Sequence, residues 1–402
     1  MKNKAWSSAN LEFVQWSNYL LVLNILRNQG PISRAEISKT TGLSPTTVSY
    51  AVNSLLENQL AKEIGVGVSS GGKRPILLEF NPKGSYILTL VLNEFKLLWA
   101  VSDLQGELEL LEEIPLQGRK GEEALDFLVR TIERALAQAA AANIHPASIG
   151  IGISGIVNFK KGEVLYSAGL QWNNLELRAM LEQQFGQEIF VVNDMNAAAY
   201  AEKVFQPDLK VANLLYIMVG QKIGAGMIID HRIFEGCNGS AVEFGHTSVN
   251  LHGPRCNCGN YGCLTEYVSE DALLRRIAAA IRQGAPTALE EEALTVPAVA
   301  RALRSGDPLA VQTVRESVFA LSVGITNLVN LFNPELIVIA GDGMVQCDEY
   351  FQELKTNIFN MALKTAARDL AISRHRVPRA FLKGVAALAI EAYFEMPRVM
   401  TA

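Results

Sequence analysis

Within the eighteen residues from His246 to Cys263 stand three of the chain's five cysteines and two of its five histidines. Thiolate sulfur and imidazole nitrogen are the donor set of a tetrahedral zinc, and a shell of four protein ligands with no open position marks a structural site rather than a catalytic one. His246, Cys256, Cys258 and Cys263 would complete such a shell. The Cys-x-Cys spacing needs a tight loop, for which Gly259 and Gly262 supply permissive backbone. A disulfide is the competing reading. An odd cysteine count and no recognisable signal peptide favour reduced thiols and a zinc cofactor. Cys237 and Cys347 stand alone and read as small apolar residues.

A zinc loop must be carried by folded domains, and 402 residues predict two or three of them. The chain is 49% hydrophobic but has no uninterrupted apolar run near the length of a membrane span, so a cytoplasmic protein is expected. Charge is unevenly spread: residues 1–83 hold nine Lys/Arg against five Asp/Glu, whereas the chain as a whole has a net charge of −5. The basic end is a nucleic-acid candidate, although charge alone decides nothing.

Its pattern says more. Residues 11–28 read as a helix with an apolar stripe of Leu20, Leu21, Leu23, Ile25 and Leu26, ended by Gly30-Pro31. Ser33-Arg34-Ala35-Glu36 is a capping box that starts a second helix, which stops near Gly42. Ser44 caps a third, with Pro45 at its first position. Val48, Val52 and Leu55 would face a small core, leaving Thr46, Thr47, Ser49, Tyr50 and Asn53 outward. Small polar residues on that face suit base-edge readout, so the segment reads as a helix-turn-helix whose last helix enters the major groove; a plain three-helix packing unit is the alternative. Ile64–Val68 and Ile76–Phe80 then read as strands around a glycine-rich tip, with Lys73 and Arg74 suited to a narrow minor groove. A simple flexible hairpin would look the same.

From Tyr86 onward short β-rich runs alternate with helical stretches. Strands are expected at Tyr86–Leu92, Leu97–Ser102, Ile149–Ile153, Ile189–Val192, Leu214–Val219, Met227–Ile229 and Leu336–Ala340, and helices at 122–142, 176–185, 271–282 and 309–331. Such alternation predicts an α/β architecture with polar function at strand ends.

The residues that follow carry a resemblance: Gly30-Pro31-Ile32-Ser33-Arg34-Ala35-Glu36-Ile37, Asn193-Asp194-Met195-Asn196-Ala197-Ala198-Ala199, Glu243-Phe244-Gly245-His246, the run from Cys256 to Cys263, and Lys383-Gly384-Val385-Ala386-Ala387. Together they resemble the ROK family (repressors, open reading frames, kinases) over nearly the whole chain, in its repressor branch of xylose-repressor, NagC and Mlc type. The resemblance implies an α/β actin-like ATPase/sugar-kinase fold of two lobes, a sugar cleft between them, and zinc on the cysteine loop. It divides the chain into a winged helix-turn-helix DNA-binding domain at 1–83 and a kinase-like effector-binding and oligomerisation domain at 84–402. It gives sugar contacts to Asn193, Asp194, Glu243 and His246, whose residue types suit a polyol. If one imidazole nitrogen of His246 ligates zinc, the other is free to donate toward the sugar.

The chain also departs from the family's kinases. Their phosphate turn after the first strand of this domain would fall on Val91-Leu92-Asn93-Glu94-Phe95, where none of its glycines survives. The second phosphate loop reads Gly220-Gln221-Lys222, and the Gly341-Asp342-Gly343 turn departs less. Loss of these groups predicts no kinase activity. Thr265 stands where the family carries a sugar-contacting glutamate, Glu266 is one helical step away, and Ser154-Gly155 replaces a Pro-Gly pair. The expectation is a DNA-binding repressor, dimeric or tetrameric, released by a sugar or sugar derivative. A sugar kinase with an appended DNA-binding domain and a regulator controlled by a partner protein are the alternatives.

Overall fold

A computed structural model describes residues 3–67, 74–206 and 209–394 of the chain. The chain opens with α1 (Asn3–Gln29), β1 (Ile32–Ser33), α2 (Arg34–Thr41), α3 (Pro45–Glu57), β2 (Ala61–Val66) and β3 (Ile76–Phe80). Both caps form as the sequence predicts. Ser33 Oγ accepts from the Glu36 N–H at 3.3 Å while the Glu36 carboxylate accepts from the Ser33 N–H at 2.9 Å, and α2 ends on Gly42 in the left-handed region at φ 72°. Ser44 accepts from the Thr47 N–H at 3.1 Å to start α3. β3 pairs antiparallel with both β2 and β1, giving the order β1-β3-β2. The helices and this small sheet make a winged helix.

The apolar stripe of α1 differs from the predicted one. Val22, Leu23 and Leu26 are fully buried, while Leu21 is 40% exposed. A step of about 100° per residue puts Leu21 on the far face once residues 22, 23 and 26 define the inner one. Val48, Val52 and Leu55 of α3 are completely buried, as their spacing requires.

The rest follows as β4 (Tyr86–Leu92), β5 (Lys96–Asp103), β6 (Leu108–Pro115), α4 (Gly121–Ala141), β7 (Pro146–Ile153), β8 (Ile156–Asn158), β9 (Glu163–Ser167), β10 (Trp172–Leu175), α5 (Leu177–Phe185), β11 (Glu188–Asn193) and α6 (Asp194–Val204). Then come β12 (Leu214–Val219), β13 (Ile223–Ile229), β14 (Arg232–Ile233), α7 (Thr265–Val268), α8 (Glu270–Arg282), α9 (Val296–Arg304), α10 (Pro308–Phe332), β15 (Leu336–Ala340), α11 (Asp348–Met361), β16 (Ala371–Arg374) and α12 (Ala380–Tyr393). Every strand and helix predicted after Tyr86 is present within a few residues. The sequence does not predict β6, the β8–β10 sheet, α6, β14, α7, α9, α11, β16 or α12.

Two five-stranded sheets dominate, in the orders β11-β7-β4-β5-β6 and β14-β13-β12-β15-β16. In the second, β12 pairs parallel with β15 and β15 parallel with β16, so their carboxyl ends share one edge of the sheet. The chain divides into two compact units, one of residues 1–151, 178–190 and 386–402, the other of 152–177 and 191–385. In the first, winged-helix residues such as Leu23, Val52 and Leu78 share a core with Ile87, Phe190 and Ile390. In the second, the sheet is covered by α10 and α11, with Ile217, Ile339, Leu321 and Leu354 fully buried. Among the described residues no helix is long and apolar enough to cross a membrane.

Candidate functional site

α3 presents its polar face outward: Thr46 and Asn53 are exposed, Tyr50 is 67% exposed, and Thr47 and Ser49 are half-buried. Two of these side chains already have partners. The Thr47 hydroxyl lies 2.9 Å from that of Ser44, and Asn53 Oδ1 accepts from the Arg34 guanidinium at 3.0 Å. Arg34 also approaches Glu63 of the wing at 3.8 Å, so it ties α2, α3 and β2 together. Ser33 and Glu36 on either side of it are marked in the sequence by the capping box, whereas nothing there marks Arg34 as functional beyond its being a long cation in the first turn of α2. Arg74 is exposed where β3 begins, whereas Lys73 and the tip from Ser69 to Gly72 lie outside the described residues.

The cysteine loop closes as its residue types suggested. The Cys256 N–H donates to Asn260 O at 2.8 Å and the Gly259 N–H to Cys256 O at 2.9 Å, which coils the Cys-x-Cys run into a tight turn. Gly262 sits at φ 64°, and a Cβ there would fall 1.7 Å from Asn250 O, so no side chain fits between the two passes of the loop. One ligand atom from each of His246, Cys256, Cys258 and Cys263 lies within 4.8 Å of all the others. Cys256 Sγ is 3.6 Å from His246 Nδ1, and Cys258 Sγ is 3.6 Å from Cys263 Sγ. A tetrahedral zinc with bonds of about 2.0–2.3 Å separates its ligand atoms by roughly 3.4–3.8 Å, so the donor set fits such an ion in both chemistry and spacing.

The thiols are unequal. The Asn260 backbone N–H holds Cys258 below the usual range, burial raises Cys256, and burial pushes Cys263 up to about 12. Zinc takes thiolate sulfur, so a bound cation would offset the burial that opposes ionisation of Cys256 and Cys263.

Asn193 and Asp194 stand where strand-end logic put them, at the junction of β11 and α6. Asn193 caps α6: its Oδ1 accepts from the Asn196 N–H at 2.9 Å and its Nδ2 donates to Gly155 O at 2.8 Å. One N–H and one lone pair remain for a ligand. Asp194 is 5% exposed, and its Oδ1 accepts from the Met195 N–H at 2.9 Å. α6 reaches this place because β13 offers Gly226, where a Cβ would lie 2.3 Å from Met195 O.

Glu243 is the central residue of a tight turn closed by the Phe244 N–H donating to Val242 O at 2.6 Å. Desolvation raises its carboxyl above the usual range, and nearby His246 opposes that rise. Because Nδ1 of His246 faces Cys256, Nε2 is the nitrogen left for other work. Thr265 is half-buried at the start of α7, whereas Glu266 is turned to Arg275 at 3.0 Å. The one-step shift does separate the two side chains.

At the β4–β5 turn Asn93 Oδ1 accepts from the N–H groups of Phe95 and Lys96, each at 2.9 Å. The turn is thus an asparagine-capped hairpin with no glycine among residues 92–96.

This arrangement defines a class: a winged helix on the same chain as an actin-like kinase fold that carries a His/Cys cluster. Residues 94–392 match the ROK family and residues 20–66 match a winged helix-turn-helix DNA-binding family. The chain belongs to the ROK family. It is 32% identical to the xylose repressor of Caldicellulosiruptor bescii, over 94% of this chain and 97% of that one. Among solved structures it is similar to a ROK family transcriptional regulator described as a homologue of the E. coli Mlc protein, with TM-score 0.84 and 30% identity over 95% of this chain and 97% of the other. It is also similar to a ROK family glucokinase from Streptomyces griseus in complex with glucose and AMPPNP, with TM-score 0.63 and 26% identity over 76% of this chain and 99% of that one.

Proposed function

We propose that the protein is a DNA-binding transcriptional repressor of sugar-metabolism genes, released from its operator by a sugar or sugar derivative held on Asn193, Asp194, Glu243 and His246. The carrying observation is an exposed polar recognition helix on a chain whose kinase-like domain has Asn93, Glu94 and Phe95 in place of a phosphate turn. Similarity to a xylose repressor along 94% of the chain supports the same reading. On this reading residues 1–83 bind DNA and residues 84–402 bind effector and self-associate as a homodimer or homotetramer. Thr46, Thr47, Ser49, Tyr50 and Asn53 meet the major groove, and Lys73 and Arg74 the minor groove.

Zinc on His246, Cys256, Cys258 and Cys263 serves as a clamp that fixes the imidazole ring and leaves Nε2 to donate to a hydroxyl. Asp194 accepts from one hydroxyl and Asn193 both donates and accepts. No phosphoryl transfer is expected, because Asn93 takes up the N–H groups of Phe95 and Lys96 while Glu94 and Phe95 bring negative charge and bulk.

An operator selected in vitro with the purified protein, followed by a panel of monosaccharides that includes xylose, tests the proposal. Asp194→Asn is expected to bind the operator as wild type does and to resist release by the sugar that frees the wild type. Release of that variant would exclude the pocket. Formation of any sugar phosphate from ATP would exclude the non-catalytic reading.

A further inference from the structure

β12 and β15 are parallel neighbours with Met218 opposite Ala340, so the glycines that follow them, Gly220 and Gly341, leave the sheet side by side at its carboxyl edge. Glycine turns at that edge, faced by a helix N-terminus, are the general place for a phosphate group in an α/β sheet. α8 supplies the helix: its first residue, Glu270, donates its N–H to Gly220 O at 2.9 Å. The position is already filled by the chain itself. A Cβ built on Gly343 would lie 1.8 Å from Glu270 Oε1, so the carboxylate rests directly on the turn backbone.

We propose that Glu270 closes the Gly341-Asp342-Gly343 turn to nucleotide phosphate and is the residue that denies this second phosphate position to ATP. The idea rests on the reading of the chain as a non-catalytic regulator and gives that reading a specific residue. Charge and bulk act together. A phosphoryl oxygen at the turn would meet the Glu270 carboxylate within contact distance, with Asp342 in the turn itself. Burial, followed by the proximity of Asp271 and Asp342, raises the Glu270 carboxyl above its usual range, as expected for an acid held against its own kind in a site shaped for an anion. The helix N-terminus offsets part of that cost by favouring one negative charge, and the chain provides that charge from Glu270.

The test is calorimetry and thermal shift with Mg-AMPPNP on the full chain. Wild type is expected to give neither heat nor shift. Glu270→Gly, which removes bulk and charge, is expected to bind at least about tenfold more tightly than the detection limit set by wild type, and Glu270→Gln, which removes charge alone, less tightly than Glu270→Gly. Circular dichroism establishes that each variant is folded; should Glu270→Gly not fold, Glu270→Ala, which also removes bulk and charge, takes its place, its binding supporting the proposal and its absence overturning it. No binding by two folded variants overturns the role of Glu270 while leaving the non-catalytic reading intact. Binding by wild type overturns both.

Discussion

Val242 is a β-branched residue at φ 63°, a conformation that costs roughly 1–2 kcal/mol for a side chain branched at Cβ. The strain sits directly before Glu243, in the turn that carries that carboxylate. Replacing Val242 by glycine relieves that strain but removes a side chain packed against the core of the second unit and frees the unfolded chain, so the net change in thermal denaturation should stay within about 1 kcal/mol. It should also weaken effector release of DNA, because the turn loses its fixed conformation. A loss of several kcal/mol would mean that no strain is relieved and that packing alone decides the outcome. The cysteine cluster makes a separate prediction. Cys258→Ser should lower the zinc content measured by atomic absorption from one ion per chain toward none, and chelation should lower the wild-type Tm by several degrees but leave the variant's nearly unmoved. These ligands were legible in the sequence because all four lie within eighteen residues. Arg34 with Asn53, and Glu270 with Gly343, were not, because each pair is brought together only by the fold.

Elements were legible where their own residues set their ends. Ser33, Glu36, Gly42, Ser44 and Pro45 fix both helices of the DNA-binding motif by local hydrogen bonds, and the structure has them at those positions. β8, β9 and β10 run for three to five residues and pair with one another, too short for a periodicity to announce them. α10 shows how a long helix is pinned. Its cap, Asp307, is 7% exposed and accepts from the N–H groups of Ala310 at 3.0 Å and Ala288 at 2.7 Å and from the Thr287 hydroxyl at 2.9 Å. Burial alone would raise its carboxyl, but these hydrogen bonds outweigh it and hold the value below the ordinary 3.8. A depressed value means the contribution is complete above the ordinary carboxylate range and is lost as pH falls through the lowered one. Asp307→Ala should cost about 2–3 kcal/mol at neutral pH, the sum of a lost cap and orphaned N–H groups. The deficit relative to wild type should shrink as the pH of urea melts is taken down through that window. A constant deficit at all pH values would show that packing, not charge, explains the loss.

At the scale of the whole molecule the question is what covers the apolar surface of the second unit. Leu331 is 74% exposed and Leu363 63%; the Leu363 N–H donates to Asn330 beside Leu331, and the exposed Phe332 ring lies 6.2 Å from that of Phe234. Monomeric proteins seldom leave such residues contiguous in water, so the group supports the proposed self-association. The proposed function makes that assembly consequential: two recognition helices on paired half-sites bind more tightly than one by a factor of about 10² to 10⁴ through effective concentration alone. Leu331→Glu should therefore shift the protein to monomer in sedimentation velocity, because burying a carboxylate in an apolar interface is costly. Its thermal stability at low concentration should be unchanged, since Leu331 is solvated in the isolated chain. Operator affinity should fall by at least about 10²-fold on a two-half-site DNA and hardly at all on a single half-site. Equal losses on both DNAs would trace the defect to the winged helix itself, and an unaltered sedimentation coefficient would move the interface away from the end of α10.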